Sequence, residues 1–320
     1  MSGFIKRQRI RRLFNFLLGV LLVFLYTILS FALGTFALIF GFLSRVVLVK
    51  SWYRRLMKIA LFFPVLWSVI SGKFLELRNL RWKTIGECRL SSRQWYLLIS
   101  NHQTWLDILV LGRVFGCKVP VIKFFMKREL LWKLPILGLS CWFLEYPFLY
   151  RYSHRKIRNQ PKLRKYDVEA VKKACKKFEE FPTTVVNFVE GTRFKVVKKS
   201  PFSPYVHLLN PKAGGIAVVI KELNRKLSGI LNVTIHYSHN VHQTTDSRTV
   251  TFWKYFCGEF SAITVYYELL PITTSLVGDY YTNRDFRRSF QQWLNSIWKR
   301  KDLLLDKLDR HPVSPYKSTE

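Results

Sequence analysis

Short runs rich in β-branched and aromatic residues alternate with amphipathic stretches from about residue 75 onward. That alternation predicts an α/β domain, with helices layered on a sheet. Ahead of it, Leu13 to Ser44 passes without one charged residue. The chain is therefore expected to divide into N-terminal membrane-anchoring helices over 1–72 and an α/β domain over 73–320, closed by a C-terminal amphipathic helix.

The N-terminal segment opens with Lys6, Arg7, Arg9, Arg11 and Arg12. Its 32 uncharged residues would reach about 48 Å as a helix, beyond the ~30 Å hydrocarbon core. It is also longer than the apolar core of a secretory signal. Arg45, Lys50, Arg54, Arg55 and Lys58 follow it, so basic residues are balanced across the segment. The positive-inside rule works by asymmetry, and a tie favours a hairpin with both ends on the cytoplasmic face over one tilted span. Residues 59–72 form a second apolar piece, interrupted by Pro64 and too short to span. It is expected at the interface or packed on the first.

In the α/β part, "WYLLIS" (95–100), "TTVVNFVE" (183–190), "ILNVTIHY" (230–237) and "AITVYYELLPI" (262–272) read as strands. "DILVLGRVFG" (107–116) and "GGIAVVIKELNRKL" (214–227) read as helices, the second opened by two glycines. Over Asp167–Glu180, Val168, Val171, Cys175 and Phe178 share one helical face, and lysines surround the other. Between Asp285 and Leu308, the residues Phe286, Phe290, Trp293, Ile297, Leu304 and Leu308 follow a rough helical stripe. Both stripes are expected to pack on the domain.

Lys plus Arg number 52 against 20 Asp plus Glu, a net charge of +32. Such a charge attracts polyanions: nucleic acid, an anionic lipid surface or an acidic carrier protein. No RRM, KH, zinc-finger or helix-turn-helix pattern is present. With 49 % hydrophobic and 16 % aromatic residues, the composition points to a membrane surface and away from nucleic acid. Arg151–Lys177 alone holds eleven Lys or Arg, either a basic contact surface or a solvated face. The five cysteines include no CxxC pair, which argues for reduced, buried thiols on a cytosolic side and against a disulfide framework or zinc knuckle. "HYSHNVH" sets His236, His239 and His242 at steps of three, but in a strand end without carboxylates, so no metal is expected.

Two motifs carry chemistry. In "LLISNHQTWLDILVL", His102 and Asp107 are five apart. On one regular helix they would point about 140° from each other. They meet only if His102 sits on the loop before the helix and Asp107 in its first turn. The carboxylate then fixes the imidazole tautomer and leaves the other ring nitrogen to take a proton. In "NFVEGTRF", Glu190, Gly191, Thr192 and Arg193 sit where a strand ends. Glycine allows a tight turn, threonine offers a hydroxyl, and arginine a planar fork suited to phosphate. Both motifs lie at strand carboxyl ends, where α/β sheets collect ligands, so both are expected to open on one crevice.

Together these residues resemble the glycerolipid acyltransferases that include the 1-acylglycerol-3-phosphate acyltransferases (PlsC-like enzymes). "NHQTWLD" matches the N-H-x4-D block, and "FVEGTRF" the F-P-E-G-T-R block with Val189 in the proline position. "MKRELLWKLPILG" (126–138) resembles the block K-x-x-L-x-x-x-P-x-x-G with one extra residue. "LLNPKAGGIAVVI" resembles the stretch after the E-G-T-R block. The tail "FQQWLNSIWKRKDLLLDKL" and "PTTVVNFVEGTRF" look closest to the bacterial inner-membrane YihG-type branch. The resemblance covers about residues 92–272 and implies a mixed sheet flanked by helices. It implies acyl transfer from acyl-CoA or acyl carrier protein to the sn-2 hydroxyl of lysophosphatidate, at the cytoplasmic face of a bacterial inner membrane, without a cofactor. His102 would be the general base and Asp107 its orienting partner. Arg193 would bind the acceptor phosphate, helped by Lys127 or Arg128, with Glu190, Gly191 and Thr192 shaping the pocket. Backbone N–H groups after Asn101 are the expected oxyanion donors. There is no G-x-S-x-G elbow, so direct attack by the acceptor hydroxyl is the simpler route. Another lysophospholipid acceptor, such as lysophosphatidylglycerol or lysocardiolipin, stays open. So do an inactive scaffold of the same fold and a polyanion-binding protein.

Overall fold

The computed structural model describes residues 2–310 apart from 78–79, 87, 151, 153–158, 161, 240–251 and 258–259. Helix α1 (Ser2–Val46) and helix α2 (Lys50–Glu76) come first. Strand β1 (Arg81–Ile85) and strand β2 (Trp95–Ser100) follow, then helix α3 (Leu106–Phe115). The short elements β3 (Ile122–Phe124), β4 (Met126–Lys127), α4 (Leu130–Lys133), α5 (Pro135–Phe143) and β5 (Phe148–Leu149) lead to helix α6 (Leu163–Phe178). Strand β6 (Thr184–Phe188), helix α7 (Gly214–Leu223), strand β7 (Leu227–His239), helix α8 (Phe252–Phe256), strand β8 (Phe260–Leu270) and helix α9 (Arg284–Arg310) complete the described chain.

Six strands form one mixed sheet in the order β1-β8-β7-β2-β6-β3. Strands β7, β2, β6 and β3 run parallel, and the β7–β8 pair is antiparallel. The expected α/β class with a mixed sheet is what the chain adopts. The central strand shows why. All but one residue of "WYLLIS" is buried, the run of apolar residues that a strand covered on both faces requires. Leu97 and Ile99 pack with α6, α7 and α9, while Tyr96 and Leu98 pack with α3 and the N-terminal helices.

The N-terminal segment is one unbroken helix, so the turn falls after Val46 and not inside Leu13–Ser44. The hairpin is instead α1 against α2. Pro64 does not end α2, which runs from Lys50 through it to Glu76. Both helices are long and apolar enough to cross a membrane. They do not project from the domain. Phe16 meets Trp253 edge-on at 5.4 Å, Gly34 is packed so closely on Leu137 that a Cβ would lie 2.5 Å from it, and Arg45 pairs with Glu145 at 2.6 Å. Phe16 to Arg45 is about 44 Å of helix laid along the domain. The outward side of α1 shows Phe14, Leu17, Leu21, Phe24 and Ile28, all exposed. A continuous apolar surface of that kind suits lipid, and the chain is membrane-associated through these helices.

The C-terminal stripe differs in detail from the expected one. Phe290, Leu294, Ile297, Trp298 and Leu305 face the core, and Lys301 and Asp302 are buried with them. Of the cysteines, all five are free thiols, but Cys117 is exposed and only Cys175 is fully buried.

Candidate active site

Strand register brings the two motifs together. Ser100 of β2 pairs with Phe188 of β6, so the residues two positions on, His102 and Glu190, lie side by side where both strands end. The His102 backbone N–H donates to Glu190 Oε1 at 2.9 Å, and the Phe194 N–H to the His102 carbonyl at 2.7 Å. Gly191 makes the intervening turn at φ +72°, a left-handed conformation that glycine adopts without strain.

His102 stands on the loop before α3 and Asp107 in its first turn. The imidazole Nδ1 and Asp107 Oδ2 are 2.7 Å apart. The same oxygen accepts the N–H groups of Gln103 at 2.7 Å and Thr104 at 3.0 Å. Oδ1 accepts the Tyr237 hydroxyl at 2.6 Å. Both oxygens of this buried carboxylate therefore have donors, and it can move only with its neighbours. The His102 ring lies on Phe188, with centroids 4.0 Å apart and planes within 14°. Held at Nδ1 and on one face, His102 lines a cavity, and Nε2 is the ring nitrogen left to act there.

That cavity has a volume of about 760 Å³ and two kinds of wall. Its mouth carries Lys127, Thr192, Arg193 and Lys198. Its depth is apolar, walled by Phe31, Gly34 and Ala37 of α1, Phe63 and Pro64 of α2, and Leu137 of α5. The Arg193 guanidinium sits 5.1 Å from the centre of the Trp105 ring, and Thr192 accepts a hydrogen bond from Lys198. Burial and the surrounding cations Lys195, Arg193, Lys127 and Lys212 lower the Lys198 ammonium pKa. Such a crowd of cations is a ready anion site. Gly138 ends the "P-I-L-G" run because a Cβ there would meet the Leu130 carbonyl oxygen at 2.6 Å. The close packing of α5 on α4 sets one side of the cavity.

Some expected residues stand elsewhere. Glu190 is buried and does not line the cavity. Its Oε1 takes the His102 N–H, and its Oε2 takes the Leu209 N–H at 3.0 Å. Burial pushes its carboxyl up to about 8, while these two N–H groups and the Lys301 ammonium pull it down. Arg128 also lies off the cavity, with its guanidinium 4.4 Å from the Tyr150 ring centre, whereas Lys127 lines the mouth. The backbone N–H groups after Asn101, expected as oxyanion donors, are already spent on carboxylates: His102 N–H on Glu190, Gln103 and Thr104 N–H on Asp107.

Other residues carried no signal of their own. The Asn101 side chain pairs with both backbone groups of Ile235, at 2.9 Å each, and extends the β2–β7 pairing past the end of β2. Tyr237 reaches Asp107 from the same strand. From α9, Trp298 donates to the Leu209 carbonyl at 3.0 Å, Asp302 accepts the Val206 and His207 N–H groups at 2.8 Å each, and Lys301 donates to the Val233 carbonyl and Thr234. Burial lowers the Lys301 ammonium to about 7, against the pull of Glu190 and Glu268. His236 pairs with Asp309 at 2.7 Å. His242 lies outside the described residues, and among those described no group of His, Cys, Asp or Glu gathers as a metal site.

With the geometry in place, likeness to known proteins is informative. The acyltransferase family model matches residues 81–237, a span that contains both motifs. The chain is 27 % identical over 232 residues to 1-acyl-sn-glycerol-3-phosphate acyltransferase 3 of Arabidopsis thaliana, covering 68 % of this chain and 54 % of that protein. It is 26 % identical over 225 residues to 1-acyl-sn-glycerol-3-phosphate acyltransferase 2 of Brassica oleracea, covering 66 % and 51 %. The chain thus spans about half the length of the curated relatives it matches. Its fold is similar to the crystal structure of the 1-acyl-sn-glycerophosphate acyltransferase PlsC from Thermotoga maritima, with a TM-score of 0.51 and 17 % identity over 92 % of this chain and 98 % of that one. Residues 81–237 thus match an acyltransferase family model, and the chain has a PlsC-like fold.

Proposed function

We propose that the chain moves a fatty acyl group from an acyl thioester, acyl-CoA or acyl carrier protein, to the sn-2 hydroxyl of 1-acylglycerol-3-phosphate, giving phosphatidate. The observation that carries this reading is His102, braced by Asp107 and opening onto a cavity with a cationic mouth and an apolar depth. A lysophospholipid has that polarity, with a phosphate at one end and a hydrocarbon chain at the other, as does an acyl thioester.

His102 Nε2 takes the proton of the acceptor hydroxyl as its oxygen attacks the thioester carbonyl carbon. Asp107 stabilises the imidazolium that forms. The C–S bond breaks, an ester remains on the acceptor, and the imidazolium returns its proton to the departing thiolate. Arg193, Lys127 and Lys198 hold the acceptor phosphate. Glu190 acts one step back, holding the His102 backbone. In this reading residues 1–72 anchor the enzyme, residues 73–320 catalyse, and the site faces the cytoplasmic leaflet of a bacterial inner membrane. The YihG-type motifs and the five free thiols support that location.

The test is acyl transfer by membranes carrying wild type or His102→Ala, offered oleoyl-CoA with lysophosphatidate and, separately, with other lysophospholipids. A loss of roughly 10²–10⁴ with lysophosphatidate supports the reading. Transfer only to lysophosphatidylglycerol or lysocardiolipin keeps the chemistry and changes the acceptor. No transfer from oleoyl-CoA, or from an acylated acyl carrier protein offered in its place, returns the weight to a scaffold or polyanion-binding role.

A further inference from the structure

The segment that follows the catalytic turn, "FKVVKKSPFSPY", presents two large apolar side chains almost wholly to the outside, Val197 at 89 % and Phe202 at 94 % exposure. An exposed apolar pair in the middle of a charged surface marks an interaction site. Lys195 and Lys198 are exposed beside them, with Lys199 half-buried. Among the described residues, no ion pair joins these lysines to a carboxylate. The segment is braced at both ends. Phe194 donates to the His102 carbonyl at 2.7 Å, Val206 and His207 are held by Asp302, and Lys199 reaches the Val206 carbonyl at 3.4 Å. Its apolar tips are therefore presented by a fixed projection. Its location is equally specific. Lys198 and Arg193 rim the same cavity that Tyr26 to Ala37 of α1 wall on another side.

We propose that residues 194–205 form a second membrane contact, in which Val197 and Phe202 enter the headgroup region of an anionic leaflet and Lys195 and Lys199 pair with lipid phosphates. Apolar tips flanked by lysines combine the two attractions that hold a peripheral segment on an anionic bilayer. Continuity with the lipid-facing α1–α2 hairpin favours a bilayer over an acidic protein as the occupant. The mouth beside Arg193 would then open onto the leaflet surface, and an acceptor would enter sideways without leaving the bilayer. This rests on the reading of the acceptor as a membrane lipid.

Two measurements test it. A nitroxide is attached at Phe202→Cys in the full chain carrying Cys117→Ser, reconstituted in phosphatidylcholine vesicles with or without phosphatidylglycerol. Contact predicts more collisions with oxygen than with a water-soluble nickel chelate, strengthened by phosphatidylglycerol. Nickel access equal to that of a label at Lys173, exposed on α6, overturns the proposal. So does immobilisation by an acidic carrier protein without vesicles. In the second, Val197→Ser/Phe202→Ser is expected to raise the apparent KM for long-chain lysophosphatidate in vesicles about tenfold and to leave turnover of a water-soluble short-chain acceptor unchanged. Equal losses on both acceptors, or none on either, overturn it. If wild type acylates neither, the functional reading has failed, and the nitroxide still decides the membrane contact.

Discussion

Replacing Asp107 by asparagine isolates one contribution to catalysis, because the site dictates how the amide must sit. Three N–H groups converge on Oδ2, from His102, Gln103 and Thr104, and one hydroxyl, from Tyr237, reaches Oδ1. An amide nitrogen cannot accept. The amide oxygen must therefore take the Oδ2 place, and the NH2 group turns to Tyr237, whose hydroxyl rotates to accept. The His102 tautomer and ring position survive, and only the negative charge beside the imidazolium is lost. With charge centres about 4 Å apart and an effective dielectric near 20, that charge contributes about 4 kcal/mol, a loss of roughly 10³-fold in kcat. The assay is initial-rate acyl transfer with oleoyl-CoA and lysophosphatidate, alongside thermal unfolding. A kcat loss near 10³ with Tm within a few degrees of wild type is expected. A loss below tenfold would refute the reasoning, since no imidazolium would then form in the slow step.

Other perturbations bear on the rest of the site. Arg193→Ala should raise the KM for lysophosphatidate well over that for oleoyl-CoA; a change confined to the donor would remove Arg193 from the phosphate. Glu190→Gln sets an NH2 group against one of two backbone N–H donors and should cost about 1–3 kcal/mol of stability in denaturant titrations. Because burial raises the folded Glu190 pKa from 4.5 to about 8, its contribution is fully present below pH 4.5 and is lost as pH rises through about 8. Wild-type Tm should therefore fall between pH 5 and 8 more steeply than that of Glu190→Gln, and parallel slopes would count against the assignment. Gly34→Leu puts side chain where α1 meets Leu137 at the cavity wall. It should cut kcat/KM for long acyl donors relative to short ones by about tenfold or more, and an unchanged ratio would mean the acyl chain lies elsewhere.

What the sequence made visible followed physical scale. Strand β2 was legible to the residue, because a run buried on both faces must be apolar throughout. The His102–Asp107 meeting was also legible, since only a loop-then-helix arrangement lets residues five apart touch. Strands β3, β4 and β5 span two or three residues each, too short for any period to register. Proline in α2 suggested a break, but packing of α2 on α1 and α3 carries the helix past it. Glu190 belonged to the right motif, yet nothing in its spacing could tell a side chain facing a ligand from one facing the backbone of His102. Tyr237 and Lys301 reach the site from more than a hundred residues away, through β7 and α9. Only register and packing reveal them.

The grip of α9 on residues 205–211 has a consequence for the order in which the enzyme comes into being. A ribosome delivers chains from the N-terminus, and domains assemble as they emerge. The two apolar helices are available to lipid long before Gln291, Trp298, Lys301 and Asp302 have been made. Those four residues fasten the Pro211 and Leu209 carbonyls, strand β7 and the Val206–His207 backbone. Leu209 in turn supplies one of the two N–H groups on Glu190. The nascent protein would thus be membrane-bound first and catalytically competent last, and a ribosome stalled before residue 290 would leave an anchored chain whose catalytic turn has not yet been locked.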